Sequence, residues 1–373
     1  MQIRIIKPTT YVQFGLLVMV LKVSCNLSSI LPYNDTMDKV LSLLAVGLLG
    51  IEILHQKYTR KKVCVYAILA MLSGISVVLT GNYGFLISII TCMAVCQTDL
   101  KRVIRFIYQY ELLFLCGHTA LSILNLIFRN GTIYHVLRNE IRFSFGLVHP
   151  NTLALYSFNL ICMWMWLNYE SMTKKKVYQL FGVSLLIYFL TKTRTTFILT
   201  LMLVGLFYMT KGKKTRGSVP FIAQIAVPVG YIGSMLLVQL YLRGNSIAYL
   251  ADKFLTGRVK LGAYASYHMD VTLLGQGIEH LQNIHWDSVW MLNAFTFDNL
   301  YTCLVYNQGL IWIVVFSITF YMLAKRGDMK ECIFTILWAA YGITEVNGLN
   351  AFLFFPLLMT SRLLDKEREK TEV

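Results

Sequence analysis

Long apolar runs alternate with short polar breaks along the chain. Twelve apolar segments can be cut out, at roughly 9–31, 40–54, 63–79, 84–97, 106–127, 144–168, 177–191, 195–210, 218–241, 298–323, 331–345 and 349–364. An upright helix needs at least about 17 such residues to cross the hydrocarbon of a bilayer, and several segments, the fourth, seventh and eighth among them, fall short of that. The pattern predicts an all-α protein: a polytopic integral membrane protein of about 12 transmembrane helices, forming one transmembrane domain over residues 1–373. One stretch breaks the rhythm. Residues 242–297 are hydrophilic yet rich in Tyr, Phe, Trp and Leu, whereas linkers and disordered segments lack aromatics, so this large loop is expected to fold onto the membrane surface. Within it Leu255, Val259, Ala263 and Tyr267 recur every four residues, which predicts an interfacial amphipathic helix.

Composition removes the soluble alternatives. The 373 residues are 56% hydrophobic and 14% charged, with a mean hydropathy of +0.58, well outside the range of a soluble globular domain. The net charge of +15 admits three explanations: a nucleic-acid partner, acidic lipid, or the lysines and arginines that set topology. Their placement decides. Twenty-three of the 34 Lys and Arg residues fall in alternate breaks, in runs such as Lys174-Lys175-Lys176, and ten fall in the other breaks, with Lys22 left inside the first segment. Clustered cations stay cytoplasmic, so both termini are expected inside and the 242–297 loop outside. No basic stretch is joined to an aromatic stacking platform, which argues against nucleic acid. Arg4 and Lys7 precede the first apolar run as in a signal peptide, but Lys22 interrupts that run and no small-x-small site follows, so it reads as an uncleaved span. The eight cysteines all lie in or at the edge of apolar segments and read as packing residues.

The informative cations are the few on the expected outer side. Arg142 leads into Gly146-Leu147-Val148-His149-Pro150-Asn151, Arg194 sits in Thr191-Lys192-Thr193-Arg194-Thr195-Thr196, and Arg258 ends Leu255-Thr256-Gly257-Arg258. A guanidinium suits planar, bidentate contact with phosphate, so these three predict an anionic, phosphate-bearing substrate at the outer face. For Arg129, Arg138 and Arg243, snorkelling to headgroups is a sufficient explanation. His149 before Pro150 fits a helix N-cap as well as a catalytic residue. Glu345, at the outer end of the eleventh segment, is a candidate for sugar or arginine contact, and Glu111 and His118, seven apart in the fifth, are placed to pair with each other. Asp298 and Asn299 either orient an arginine or cap the tenth helix.

Gly-x-x-His-Pro-Asn at 146–151, Thr-x-Thr-Arg-Thr at 191–195, Leu-Thr-Gly-Arg at 255–258, Gly275-x-Gly277, Asp298-Asn299-x-Tyr301 and Gly309 together resemble the Wzy-type polysaccharide polymerases of O-antigen and capsule assembly, which are similar also to the WaaL O-antigen ligases. The resemblance covers about residues 140–350. The chain departs from the pattern at Thr191 and Thr193, where Ser is frequent, and at Tyr264, where Trp often follows. The resemblance implies an inverting glycosyltransferase in a bacterial cell membrane, acting on its outer face. It would move a growing glycan from undecaprenyl diphosphate to a lipid-linked repeat unit, among membrane lipids and alongside a flippase and a chain-length regulator. Charge grows on the departing diphosphate, and fixed cations there stabilise the transition state more than the ground state, which gives Arg142, Arg194 and Arg258 their expected role. A base must take the acceptor's proton, and the candidates are His280 and Glu279 first, then His149, with His285 also external; Asn151, Asp298, Asn299 and Glu345 are secondary. No external carboxylate pair has metal-site spacing, so catalysis without metal or cofactor is expected. The rivals are ligation of the glycan to another acceptor and a transporter or flippase, although carriers built from repeats would not be expected to place one large loop outside between unlike halves.

Overall fold

The computed structural model describes residues 9–56, 60–129, 132–137, 139–211, 217–282, 287, 289–292 and 294–364. In chain order its elements are α1 (Thr10–Asn26), α2 (Asp35–His55), α3 (Arg60–Thr80), α4 (Gly84–Val95), α5 (Leu100–Arg129), β1 (Tyr134–Leu137), β2 (Glu140–Phe143), α6 (Pro150–Asn168), α7 (Lys174–Thr191), α8 (Arg194–Lys211), α9 (Ser218–Leu242), α10 (Ser246–Phe254), α11 (Arg258–His268), α12 (Glu279–Gln282), α13 (Leu300–Cys303), α14 (Leu310–Arg326) and α15 (Met329–Gly342). The fold is thus mostly helical. Three of the described helices are long and apolar enough to cross a membrane, over Lys62–Thr80, Leu100–Phe128 and Ser218–Leu242.

Several expectations need correction. The tenth apolar segment is not one helix: α13 passes into a π-helical turn, Leu304–Gln308, and breaks at Gly309 (φ 104°) before α14 begins. The twelfth is a 3₁₀ stretch, Phe355–Leu364. The sixth starts later than its hydropathy suggests, because 140–143 and the turn after it belong to a small antiparallel hairpin in which His135 pairs with Arg142. The interfacial helix was expected on Leu255, Val259, Ala263 and Tyr267, but Leu255 lies in the break between α10 and α11, Val259 and Ala263 are buried, and Tyr267 is exposed. Each four-residue step overshoots a full turn by about 40°, so Val259 and Ala263 share the buried side while Tyr267, two steps on from Val259, has turned away from it. The exposed apolar face belongs to α10 instead, through Ile247, Leu250 and Phe254.

The chain is organised as two compact units. Unit 1 comprises residues 1–58, 90–206 and 351–373. Its α1 and α2 are joined by the Lys22–Asp38 ion pair at 3.0 Å, which neutralises the cation inside the first segment. Asn159 of α6 is its central polar knot: Nδ2 donates to Glu111 Oε2 (3.2 Å) and to the Phe352 carbonyl (3.1 Å), while Oδ1 accepts from the Phe355 amide (3.0 Å). Glu111 and His118 therefore do not pair with each other, since His118 Nε2 bonds Ser28 Oγ at 2.8 Å. Side chains seven apart on a helix lie two turns, about 10 Å, from one another, and each meets a nearer partner on a neighbouring segment.

Unit 2 comprises residues 59–89 and 207–350. Its organising element is α9, which buries Val219, Ala223, Val227, Gly230, Ser234 and Val238, spaced four and three apart, and exposes Phe221, Val229, Ile232 and Leu236 on the other side. This is the two-faced pattern of a helix packed on one side only. Gly230 lets the Tyr301 ring close on the helix, for a Cβ there would lie 2.3 Å from the Tyr301 hydroxyl, which donates to the Ala339 carbonyl at 2.8 Å. Phe316, Phe320 and Trp338 stack between α14 and α15.

Candidate functional site

In unit 1 the approach to α6 is built by the residues around Gly146. Val148 N–H bonds the Leu27 carbonyl and Ser29 N–H bonds the Gly146 carbonyl, clamping the 146–148 segment against 27–29. Gly146 (φ 77°) makes this possible, since a Cβ would collide with Ile30 and press on Ser122. The chain then enters α6 with His149 extended at the N-cap and Pro150 in the first turn. His149 Nδ1 accepts from the Asn151 amide at 3.1 Å, which leaves the ring proton on Nε2. Burial, then the neighbouring His135 and Arg142, hold this imidazole below its ordinary pKa. It is therefore a neutral ring whose open nitrogen donates, a poor arrangement for a base and a good one for bonding an oxyanion.

The same unit brings the threonine motif to this place. Thr191 is buried and its hydroxyl accepts from Thr193 N–H, Lys192 takes the left-handed conformation that ends α7, and Thr193 Oγ1 donates to Asn151 Oδ1 at 3.0 Å. That last bond ties the start of α8 to the start of α6. Arg194, the first residue of α8, is exposed and makes no hydrogen bond or ion pair among the described residues. Arg142 gives one bond to the exposed Glu140 (2.9 Å), while its Nε is buried without a partner among the described residues. Two helix N-termini, two guanidiniums with donors to spare and a neutral imidazole donor make an arrangement suited to an anion.

Arg258 has a different setting, in unit 2. Thr256 and Gly257 both have positive φ, turning the chain sharply between α10 and α11. The Arg258 side chain folds back from that turn: Nε donates to the Thr344 carbonyl, Nη1 to the Leu255 carbonyl (3.1 Å) and the Thr256 hydroxyl, and Nη2 to Glu345 Oε1 (2.8 Å). Both members of the ion pair are about nine-tenths buried. Glu345 stands past the end of α15, and burial pushes its carboxyl up to about 7, reinforced by Asp298 and opposed by Arg258. Asn299 is a cap: Oδ1 accepts from the amides of Tyr301 and Thr302, and Nδ2 donates to Ser234 Oγ and the Ile343 carbonyl.

The remaining candidates are less informative. Glu279 is exposed on the four-residue α12, the His280 side chain and all of His285 lie outside the described residues, and so do Arg138 and the Arg129 side chain. Gly275 and Gly309 serve the backbone. Gly275 has φ 102°, and a Cβ on it would come 2.5 Å from the Asn307 carbonyl oxygen, while one on Gly309 would come equally close to Gly275 N. His135 and the Thr344 carbonyl were missed, because a cross-strand partner and a backbone acceptor 86 residues away leave no local signal. No family model, no curated protein and no solved structure matches the chain.

Proposed function

We propose that the chain is a polymerase of a bacterial surface polysaccharide, of the capsule or O-antigen type, working at the outer face of the cell membrane with both termini cytoplasmic and about twelve membrane segments. In this reading the growing glycan leaves undecaprenyl diphosphate and joins a lipid-linked repeat unit with inversion. The bond from the anomeric carbon to the phosphate oxygen breaks as the acceptor oxygen attacks from the opposite side, the acceptor's proton passes to a base, and the diphosphate departs with the electron pair. The observation that carries the reading is the arrangement at the starts of α6 and α8, where the Thr193–Asn151 bond ties the residue before Arg194, itself without a partner among the described residues, to the first turn capped by His149. Arg194 and Arg142 take the diphosphate, and His149 Nε2 donates to an oxygen of the leaving group. His149, whose Nδ1 is occupied, is not the base in this reading, and Glu279 and His280 keep that role as the candidates from sequence. Arg258, with four of its donors used inside the protein, has one Nη2 hydrogen left for a substrate oxygen.

The test is to delete the gene in its own bacterium and run the surface glycan on a gel. Single repeat units in place of a ladder support a polymerase. Full-length glycan confined to its lipid carrier would replace this reading with ligation, and lipid-linked units trapped in the cytoplasm would replace it with transport.

A further inference from the structure

Helix α10 begins three residues after α9, one of the three helices long and apolar enough to cross a membrane. Three residues reach at most about 10 Å, so α10 is tethered at the depth where α9 ends. The turn between them is sharp, with Gly244 at φ 72°, and α10 packs back on α9 through a Tyr241–Tyr249 edge-to-face contact at 4.7 Å. Ala248 is fully buried and Asp252 Oδ1 accepts from the Lys260 amide, so this side faces the protein. Ile247, Leu250 and Phe254, at i, i+3 and i+7, form a second side and are each about two-thirds exposed or more. Beside them stand two exposed cations, Arg243 and Lys253.

We infer that α10 is an interfacial helix that beds Ile247, Leu250 and Phe254 in the acyl–headgroup boundary of the bilayer, with Arg243 and Lys253 on anionic headgroups. Three observations favour a lipid occupant over a protein one. α9, to which the helix is joined, itself carries exposed apolar residues on one side, the depth of α10 is set by the short tether, and its charges complement acidic lipid. The consequence reaches Arg258. The residues that end α10, Leu255 and Thr256, supply acceptors to its guanidinium, so a helix seated on the lipid surface steadies the turn that carries the Arg258–Glu345 pair. The inference depends on the membrane setting of α9 and not on the polymerase reading.

The test uses the full-length protein in nanodiscs, with exposed Cys64 and Cys116 replaced by Ser and single nitroxide labels on Leu250→Cys, Phe254→Cys and Lys253→Cys. Apolar oxygen and a water-soluble nickel chelate serve as relaxing agents. The expected result is higher oxygen than nickel accessibility at positions 250 and 254, the reverse at 253, and a fall in the oxygen preference when Arg243→Glu and Lys253→Glu are combined in phosphatidylglycerol discs but not in phosphatidylcholine discs. Nickel accessibility at 250 and 254 equal to that at 253 overturns the inference by placing the face in water. Protection from both agents overturns it by placing the face against protein, and an unchanged oxygen preference in the charge-reversed variant removes the anionic-headgroup part.

Discussion

Arg194 stands exposed at the first residue of α8 with no partner among the described residues, whereas Arg258 is nine-tenths buried and gives its donors to Thr344, Leu255, Thr256 and Glu345. Both follow a threonine-bearing turn, and hydropathy and motif alone treat them as equivalents. The difference teaches what a guanidinium is available for. A buried one is unfavourable unless its surroundings supply acceptors and a counter-charge, and once they do, it serves mainly to hold those groups together. An exposed one at a helix N-terminus keeps its fork for a ligand. Arg142 lies between them, with one bond to an exposed carboxylate and a buried, unused Nε.

The contrast can be broken at several points. The largest effect is expected from Arg258→Ala, which strands Glu345 in the interior and should cost about 3–5 kcal/mol of stability. Thermal unfolding in detergent should show a large drop, and joining it to Glu345→Leu should restore most of the loss; a wild-type melting curve for Arg258→Ala would end the structural assignment. Arg194→Ala should behave in the opposite way, with stability within about 0.5 kcal/mol of wild type and polymerisation lowered roughly 10²- to 10³-fold, the range for losing one preorganised donor to a developing anion. Wild-type glycan ladders from this variant would remove Arg194 from the site. Gly309→Ala comes next. A side chain at φ 104° costs about 1–3 kcal/mol, and here it also meets the backbone of Gly275, so the melting temperature should fall even though no charged or catalytic group is touched.

A pH dependence separates the buried pair from the exposed arginine further. Burial raises the Glu345 carboxyl from 4.5 to about 7. Between those values the folded protein holds a proton that the unfolded chain has released, so stability should decrease as pH rises from about 5 to 7. Glu345→Gln should flatten that slope and Arg194→Ala should leave it unchanged, both read from melting temperature against pH. The smallest structural effect is expected from His149→Asn, because Asn also caps a helix: α6 should keep its stability within about 0.5 kcal/mol. Loss of glycan ladders with unchanged melting would then isolate the ring's donor role, and wild-type ladders would reduce His149 to a cap.

Much of this molecule was readable from the order of its residues, and the failures share a cause. Apolar runs carry their own period and length, so α3 and α9 lie where hydropathy places them, and α1 and α5 overlap their segments but end earlier and begin earlier, respectively. Pro150 announced the start of α6, and Asn299 the start of α13. What was not legible depends on residues far apart in the chain. The break at Gly309 exists because the 272–276 backbone crosses there, with Leu310 and Ile311 bonding the Thr272 and Leu273 carbonyls. The hairpin before α6 is two four-residue strands, too short to show alternation above noise. Glu345 reads from sequence as a contact for a sugar or an arginine, and that it meets Arg258 is a tertiary fact.

The Asn159 knot in unit 1 has a consequence for how the protein is made. Its three bonds reach Glu111, synthesised earlier, and the backbone of Phe352 and Phe355, synthesised only after the whole of unit 2 has left the ribosome. Until then the Asn159 amide can meet Glu111 but lacks the Phe352 carbonyl and the Phe355 amide. Unit 1 is closed last by residues that follow the intervening stretch 207–350, so a prematurely terminated chain would leave the Asn159 amide with two of its three bonds unmade.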